Sequence, residues 1–140
     1  MTRLALGLSG LIMTNSIQAY ENFIEKFDFK GRVIYPCCGY DYQPSEVFKD
    51  IVFIDKDRKA VENLRKRGLK CINEDVKNVK MDCDLLILIS PSLFSKDLLN
   101  SFTCKFILSN NLHGTADELR ASKSAKEIYL GIPDYYLFEV

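Results

Sequence analysis

Five short strand-like segments, at 32–36, 51–55, 69–72, 85–89 and 105–108, apolar except for Arg32, Asp55, Lys70 and Lys105, constrain this chain more than any single motif. A strand with one wet face alternates apolar and polar residues, whereas Leu85-Leu86-Ile87-Leu88-Ile89 is apolar throughout. Such a run fits a central parallel strand covered on both faces. Parallel neighbours need a crossover, and the sequence between the runs supplies helices for it. Residues 58–67 put Ala60, Val61 and Leu64 on one face, with Asp57 as the predicted N-cap and Gly68 as the stop. Helices are also expected near 95–101 and over 114–123, the latter with Thr115 and Glu118 spaced as a capping box. The first crossover is short. Between Gly39 and Ile51 only residues 45–49 can coil, since Pro44 suits a first helical turn and breaks an interior. The chain closes with 127–130, a Gly131-Ile132-Pro133 turn and 135–140, two strands joined so tightly that they must run antiparallel.

Met1-Thr2-Arg3, an apolar stretch over 4–13 and a small-residue end at 16–19 weakly imitate a secretory signal. Against that reading, Leu11, Ile12, Ile17, Tyr20, Phe23, Ile24 and Phe27 fall near one helical face that runs through the supposed cleavage point. A leading amphipathic helix over about 9–27, within a 1–29 segment, is the better expectation. No stretch reaches the ~20 apolar residues of a membrane span, so a soluble cytoplasmic protein is expected. At 140 residues the chain suits one domain, 1–140, large enough to bury roughly 68–70% of its unfolded surface. Nineteen basic against 19 acidic residues leave no global field to recruit nucleic acid or a membrane. The five cysteines, 37, 38, 71, 83 and 104, fall in or beside predicted strands and read as reduced core thiols. With a single histidine and no spaced ligand pairs, no metal site is expected.

Chemistry is suggested where the first apolar run breaks at Cys37-Cys38-Gly39-Tyr40-Asp41 and the second ends in Asp55. A buried strand that breaks at a glycine, with a carboxylate at the tip of the next strand, is how an open α/β sheet holds a cofactor ribose. Both oxygens of a carboxylate accept hydrogen bonds, which suits two adjacent hydroxyls. The competing readings are a ligand-free strand-to-helix turn for 37–41 and a turn or cap role for Asp55.

The order of elements, with these motifs, resembles the class I S-adenosylmethionine-dependent methyltransferases over about residues 15–140. That resemblance implies an α/β fold: a three-layer, Rossmann-like open sheet, mostly parallel, of six to seven strands with a C-terminal antiparallel hairpin. The family's first strand ends apolar-apolar-acidic-apolar-Gly-x-Gly-x-Gly. Here Gly39 keeps the middle glycine, Tyr35 stands at the acidic position, Cys37 at the first glycine and Asp41 at the third, where it supplies the missing carboxylate. The implied cofactor is S-adenosylmethionine. The implied contacts are Cys37, Gly39 and Asp41 on the glycine loop, Asp55 on the ribose hydroxyls, Lys56 through its backbone, Asp75 and the Val76 N–H on the adenine, and Ser90 after strand four. Many amino-group methyltransferases carry Asn or Asp, then Pro-Pro and an aromatic ring, after that strand. Ser90-Pro91-Ser92-Leu93-Phe94 keeps one proline and puts a hydroxyl where the amide or carboxylate would be. Base or amine methylation is therefore poorly supported, and O- or small-molecule methylation stays open, since it needs mainly an aligned nucleophile. Ser90 and His113 are the catalytic candidates. His113 is the one side chain whose ordinary pKa lies near neutrality, with a loop or capping role as its alternative. The stripe Arg58, Lys59, Arg65, Lys66, Arg67 reads as a solvated helix face.

Two functions stay open: an S-adenosylmethionine-dependent methyltransferase acting on a small molecule or unidentified acceptor, and a noncatalytic cofactor-binding protein or partner subunit of the same fold. The missing glycines favour the second. The expected partner is the small-molecule cofactor, with no strong nucleic-acid signal, no membrane, and a homodimer or partner-subunit role left open. A nicotinamide dehydrogenase would need Gly-x-Gly-x-x-Gly, which residues 37–42 do not supply.

Overall fold

The computed structural model describes residues 7–89, 96–112, 114–122 and 124–140. A long first helix, α1 (Gly7–Phe27), leads into strands β1 (Val33–Pro36), β2 (Ile51–Asp55) and β3 (Cys71–Asn73), with α2 (Arg58–Lys66) between the last two. There follow β4 (Met81–Asp82), β5 (Leu85–Leu88), α3 (Lys96–Asn100), β6 (Phe102–Thr103), β7 (Phe106–Ser109), α4 (Thr115–Ala121), β8 (Lys126–Ile128) and β9 (Tyr136–Glu139). Seven strands form one sheet in the order β3-β2-β1-β5-β7-β9-β8. The β3, β2, β1, β5 and β7 strands pair in parallel, and β9 runs antiparallel to both β7 and β8. This is the Rossmann-like sheet with a closing antiparallel hairpin. From β1 the chain moves out to β2 and β3, then returns to the other side of β1 with β5, so the order reverses beside β1, where open α/β sheets form their ligand crevice.

Successive strand residues point to opposite faces, and here both faces are covered. Val33, Tyr35, Phe53, Leu85, Ile87, Leu108 and Leu137 pack with Ile17, Ala19, Tyr20 and Phe23 of α1 and with Val61 and Leu64 of α2. The opposite face carries Ile34, Ile54, Leu86, Leu88, Ile107 and Phe138 against Leu98 of α3 and Ala116 and Leu119 of α4. Phe23 is the anchor of α1. It is wholly buried, with its ring centroid 4.8 Å from that of Phe29, 5.3 Å from Phe106 and 5.5 Å from Phe27. The helix runs unbroken through residues 16–19, as its apolar spacing requires. Among the described residues no helix is long and apolar enough to cross a membrane.

Four features differ from expectation. First, β4 and β6 make a separate two-stranded parallel sheet, with Met81 opposite Phe102 and Asp82 opposite Thr103. Two-residue bridges are too short to show a period. Second, the β1–β2 crossover coils as a 3-10 turn at Gln43–Glu46, two residues earlier than 45–49, with Pro44 buried in its first turn. Third, the capping box at Thr115 does not form. Gly114 takes the N-cap position at φ 77, and Thr115, the first helical residue, is buried with its hydroxyl unpartnered among the described residues. The cap comes instead from Asn111, whose Oδ1 accepts the Asp117 N–H at 3.2 Å while its Nδ2 donates to Asp117 Oδ2 at 3.1 Å. Fourth, the basic stripe is partly engaged, because Arg65 Nε donates to the Cys71 carbonyl at 3.0 Å and the Arg67 guanidinium lies 3.9 Å above the Tyr42 ring.

Candidate functional site

The loops after β1, β2, β3 and β7 all emerge at the carboxyl ends of parallel strands, on one rim of the sheet. β1 hands over to its loop through a hydrogen bond from the Cys37 N–H to the Ile54 carbonyl (2.8 Å), which holds the first loop residue against β2. Two residues here adopt left-handed backbone, Cys37 at φ 56 and Gly39 at φ 58. Glycine takes such angles freely, whereas a cysteine is strained there, at a cost on the order of 1–3 kcal/mol. Cys37, at the position that the resemblance assigns to the first glycine, thus takes a backbone conformation that glycine favours. Beside Gly39 the space is open, and a Cβ built on it would meet no heavy atom within 4 Å.

Asp55 ends β2 half-buried and organises this rim. Its Oδ2 accepts the Gly39 N–H at 2.7 Å and its Oδ1 accepts the Asp57 N–H at 2.8 Å. Each oxygen keeps a further lone pair, so the carboxylate can still accept from two hydroxyls. Asp57 caps α2 by accepting the Lys59 N–H at 3.0 Å, which leaves Asp55 free of that duty. The Asp55 carbonyl is bound in turn by the Glu74 N–H at 3.1 Å and by Asn73 Nδ2 at 3.2 Å, and the same amide reaches the Lys56 carbonyl at 3.2 Å. Asn73 is therefore a positioning residue that the sequence did not flag. Its place at the end of an expected strand was the available signal.

Asp41 sits further along the β1 loop. Its Oδ2 accepts from the Tyr35 hydroxyl at 2.9 Å and its Oδ1 accepts the Gln43 N–H at 3.1 Å. The tyrosine at the motif's acidic position thus reaches the carboxylate six residues later, and the two are joined rather than interchanged. Burial, and then the Asp41 charge, push the Tyr35 and Tyr20 hydroxyls well above the usual tyrosine range. Tyr20 brings α1 to this loop. Its hydroxyl is buried with no partner among the described residues, a placement that its core-face spacing did not signal. Burial also raises the Cys37 thiol, with the Asp55 and Asp75 charges adding to the shift. That shift disfavours the Cys37 thiolate.

Asp75 follows β3 on the same rim. Its side chain accepts the Lys77 N–H at 3.0 Å and caps the 3-10 turn Val76–Asn78. Val76 opens that turn, and its carbonyl accepts from Ser101 Oγ at 2.6 Å. Lys56 is exposed at the start of the β2 loop. The structure thus gathers Cys37, Gly39, Asp41, Asp55, Lys56, Asp75 and Val76 on one rim, with Gly39 and Asp55 in direct contact. Ser90, the Pro91–Phe94 motif and His113 lie outside the described residues. Among the described residues no group of three or more His, Cys, Asp or Glu side chains is gathered for a metal ion.

No protein-family model and no curated protein matches the chain by sequence. Solved structures do match it by shape. A methyltransferase from Geobacter sulfurreducens superposes with a TM-score of 0.60 at 16% identity, over 90% of this chain and 76% of that one. The N-methyltransferase NodS from Bradyrhizobium japonicum gives 0.64 at 7% identity, over 88% and 92%. The 16S rRNA methylase RmtB gives 0.62 at 14% identity, over 97% and 66%. With the strand order and the closing antiparallel pair, these likenesses show that the chain has a class I methyltransferase-like fold.

Proposed function

We propose that this rim binds S-adenosylmethionine and that the protein is a methyltransferase acting on a small molecule or another acceptor yet to be identified. The observation that carries the reading is the 2.7 Å bond between the Gly39 N–H and Asp55, which sets a ribose-type carboxylate directly beside the open glycine bend at the sheet's reversal point. In this reading Asp55 accepts from the ribose hydroxyls through its remaining lone pairs, Asp75 and the Val76 N–H meet the adenine, and Asp41, steadied by Tyr35, faces the amino-acid end. When bound, the cofactor supplies an electrophilic methyl group. The chain's part is to fix that methyl in line with an acceptor and to keep water out.

A second reading, a noncatalytic binder of the cofactor, is favoured by one observation. The β1 loop carries the Cys37 and Asp41 side chains at two glycine positions and runs into a 3-10 turn instead of a helix.

Calorimetric titration with S-adenosylmethionine and its demethylated product separates the readings. Binding that weakens roughly tenfold to a hundredfold in Asp55→Asn, the worth of one charge-assisted hydrogen bond, supports the site. Labelled methyl transfer to any acceptor pool supports the enzyme, and tight binding without transfer supports the binder. No heat with either compound, in protein shown to be folded, overturns both.

A further inference from the structure

The opposite rim, at the amino ends of the parallel strands, carries a second cluster of reactive side chains. The β4–β6 ladder joins Met81 N–H to the Ser101 carbonyl at 3.0 Å and Cys83 N–H to the Thr103 carbonyl at 2.8 Å. In a parallel ladder, a residue that donates to the carbonyl of position j−1 faces position j. Met81 faces Phe102 by that rule, as the pairing register records, and Cys83 faces Cys104 one step beyond the strand ends. Directly facing positions on adjacent strands place Cα atoms about 5 Å apart, within the roughly 4.4–6.8 Å span of a disulfide. Both thiols are free. They line a groove of about 420 Å³ together with Arg32, Asp84 and Lys105.

We propose that Cys83 and Cys104 form a reversible dithiol–disulfide pair, oxidised through this groove by low-molecular-weight disulfides. Cys104 is the half-buried member and Cys83 the buried one, so Cys104 meets the reagent and Cys83 resolves the product. Hydrogen bonding between the pair draws the Cys104 thiol below its ordinary pKa and pushes the Cys83 thiol above its own, so Cys104 is the first to ionise. The groove is charge-balanced: Arg32 and Lys105 face Asp82 and Asp84 in its lining, with Lys105 paired to Asp84 at 3.5 Å and Arg32 to Asp50 at 4.0 Å.

The sequence of bonds balances without another reactant. The Cys104 thiolate attacks one sulfur of the reagent disulfide, forming a mixed disulfide and releasing one thiolate, which takes up the proton Cys104 lost. Cys83, deprotonated in turn, attacks the Cys104 sulfur, forms the Cys83–Cys104 bond and expels the second thiol. Two protein thiols are oxidised and one disulfide is reduced to two thiols. The bond would lock β4 to β6, next to the hydrogen bond from Lys80, just before β4, to the carbonyl of Asn100 at the end of α3 (3.0 Å).

The test needs no methyl donor. The reduced, folded protein is incubated with oxidised glutathione, its remaining thiols are alkylated in acid, and the digest is read by mass spectrometry. The expected product is a Cys83–Cys104 cross-link that dithiothreitol removes. In Cys83→Ser the expected product is a stable glutathione adduct on Cys104. A wild-type protein that keeps the adduct on Cys104 unresolved, cross-links a different pair, or stays fully reduced on both cysteines overturns the proposal.

Discussion

Replacing Asp55 by alanine tests whether one carboxylate joins the two loops of the candidate site. The substitution removes both acceptors, for the Gly39 N–H at 2.7 Å and the Asp57 N–H at 2.8 Å. Hydrogen bonds to a charged group contribute about 1.5–3 kcal/mol each. The Asp57 amide is exposed and is taken over by water, so it adds little. The Gly39 amide is partly buried, and losing its partner carries most of the penalty. The expected loss is roughly 2–3 kcal/mol, which for a chain of this size lowers the thermal midpoint by roughly 6–12 °C. Urea unfolding followed by far-ultraviolet circular dichroism measures it, with Asp57→Ala as the comparison. That control removes a helix cap and is expected to cost about 1 kcal/mol. If Asp55→Ala costs no more than Asp57→Ala while the folded spectrum is unchanged, Asp55 does not hold the two loops together and the reasoning fails.

The buried tyrosines predict alkaline sensitivity. Burial and the Asp41 charge keep Tyr20 and Tyr35 neutral in the fold, whereas in the unfolded chain they ionise near about pH 10. The unfolded state then holds fewer protons than the native one, so stability is full below about pH 10 and falls above it, by about 1.4 kcal/mol per pH unit for each tyrosine. Urea midpoints across that range should show a shallower slope in Tyr20→Phe, which also removes an unpartnered hydroxyl and should be neutral or mildly stabilising near neutrality. A slope identical to wild type refutes this assignment. On α1, Phe23→Ala is expected to cost about 3–5 kcal/mol, because its ring fills the space among Phe27, Phe29 and Phe106 and the helix cannot close over the gap. A loss under about 1 kcal/mol in the same denaturation experiment would show that α1 does not depend on this contact.

What the chain discloses by itself is what local periodicity and local chemistry can encode. Apolar runs announce β1, β2, β5 and β7, because a strand buried on both faces has no polar side to show, whereas β3, at the sheet edge, ends in the exposed Asn73. Asp57 and Gly68 bound α2 because a cap and a left-handed stop act within a single turn. Asp55 is legible because its position at a strand tip is itself the signal. Tertiary structure decided whatever depends on partners distant in sequence. It let Cys37 hold a glycine's backbone angle, supported by a bond to Ile54. It brought Tyr20 of α1 to the Asp41 loop, and it gave the α4 cap to Asn111 once Thr115 turned into the core. It also set Cys83 opposite Cys104, since strand pairing joins residues that no local pattern links and a two-residue ladder leaves no period to read.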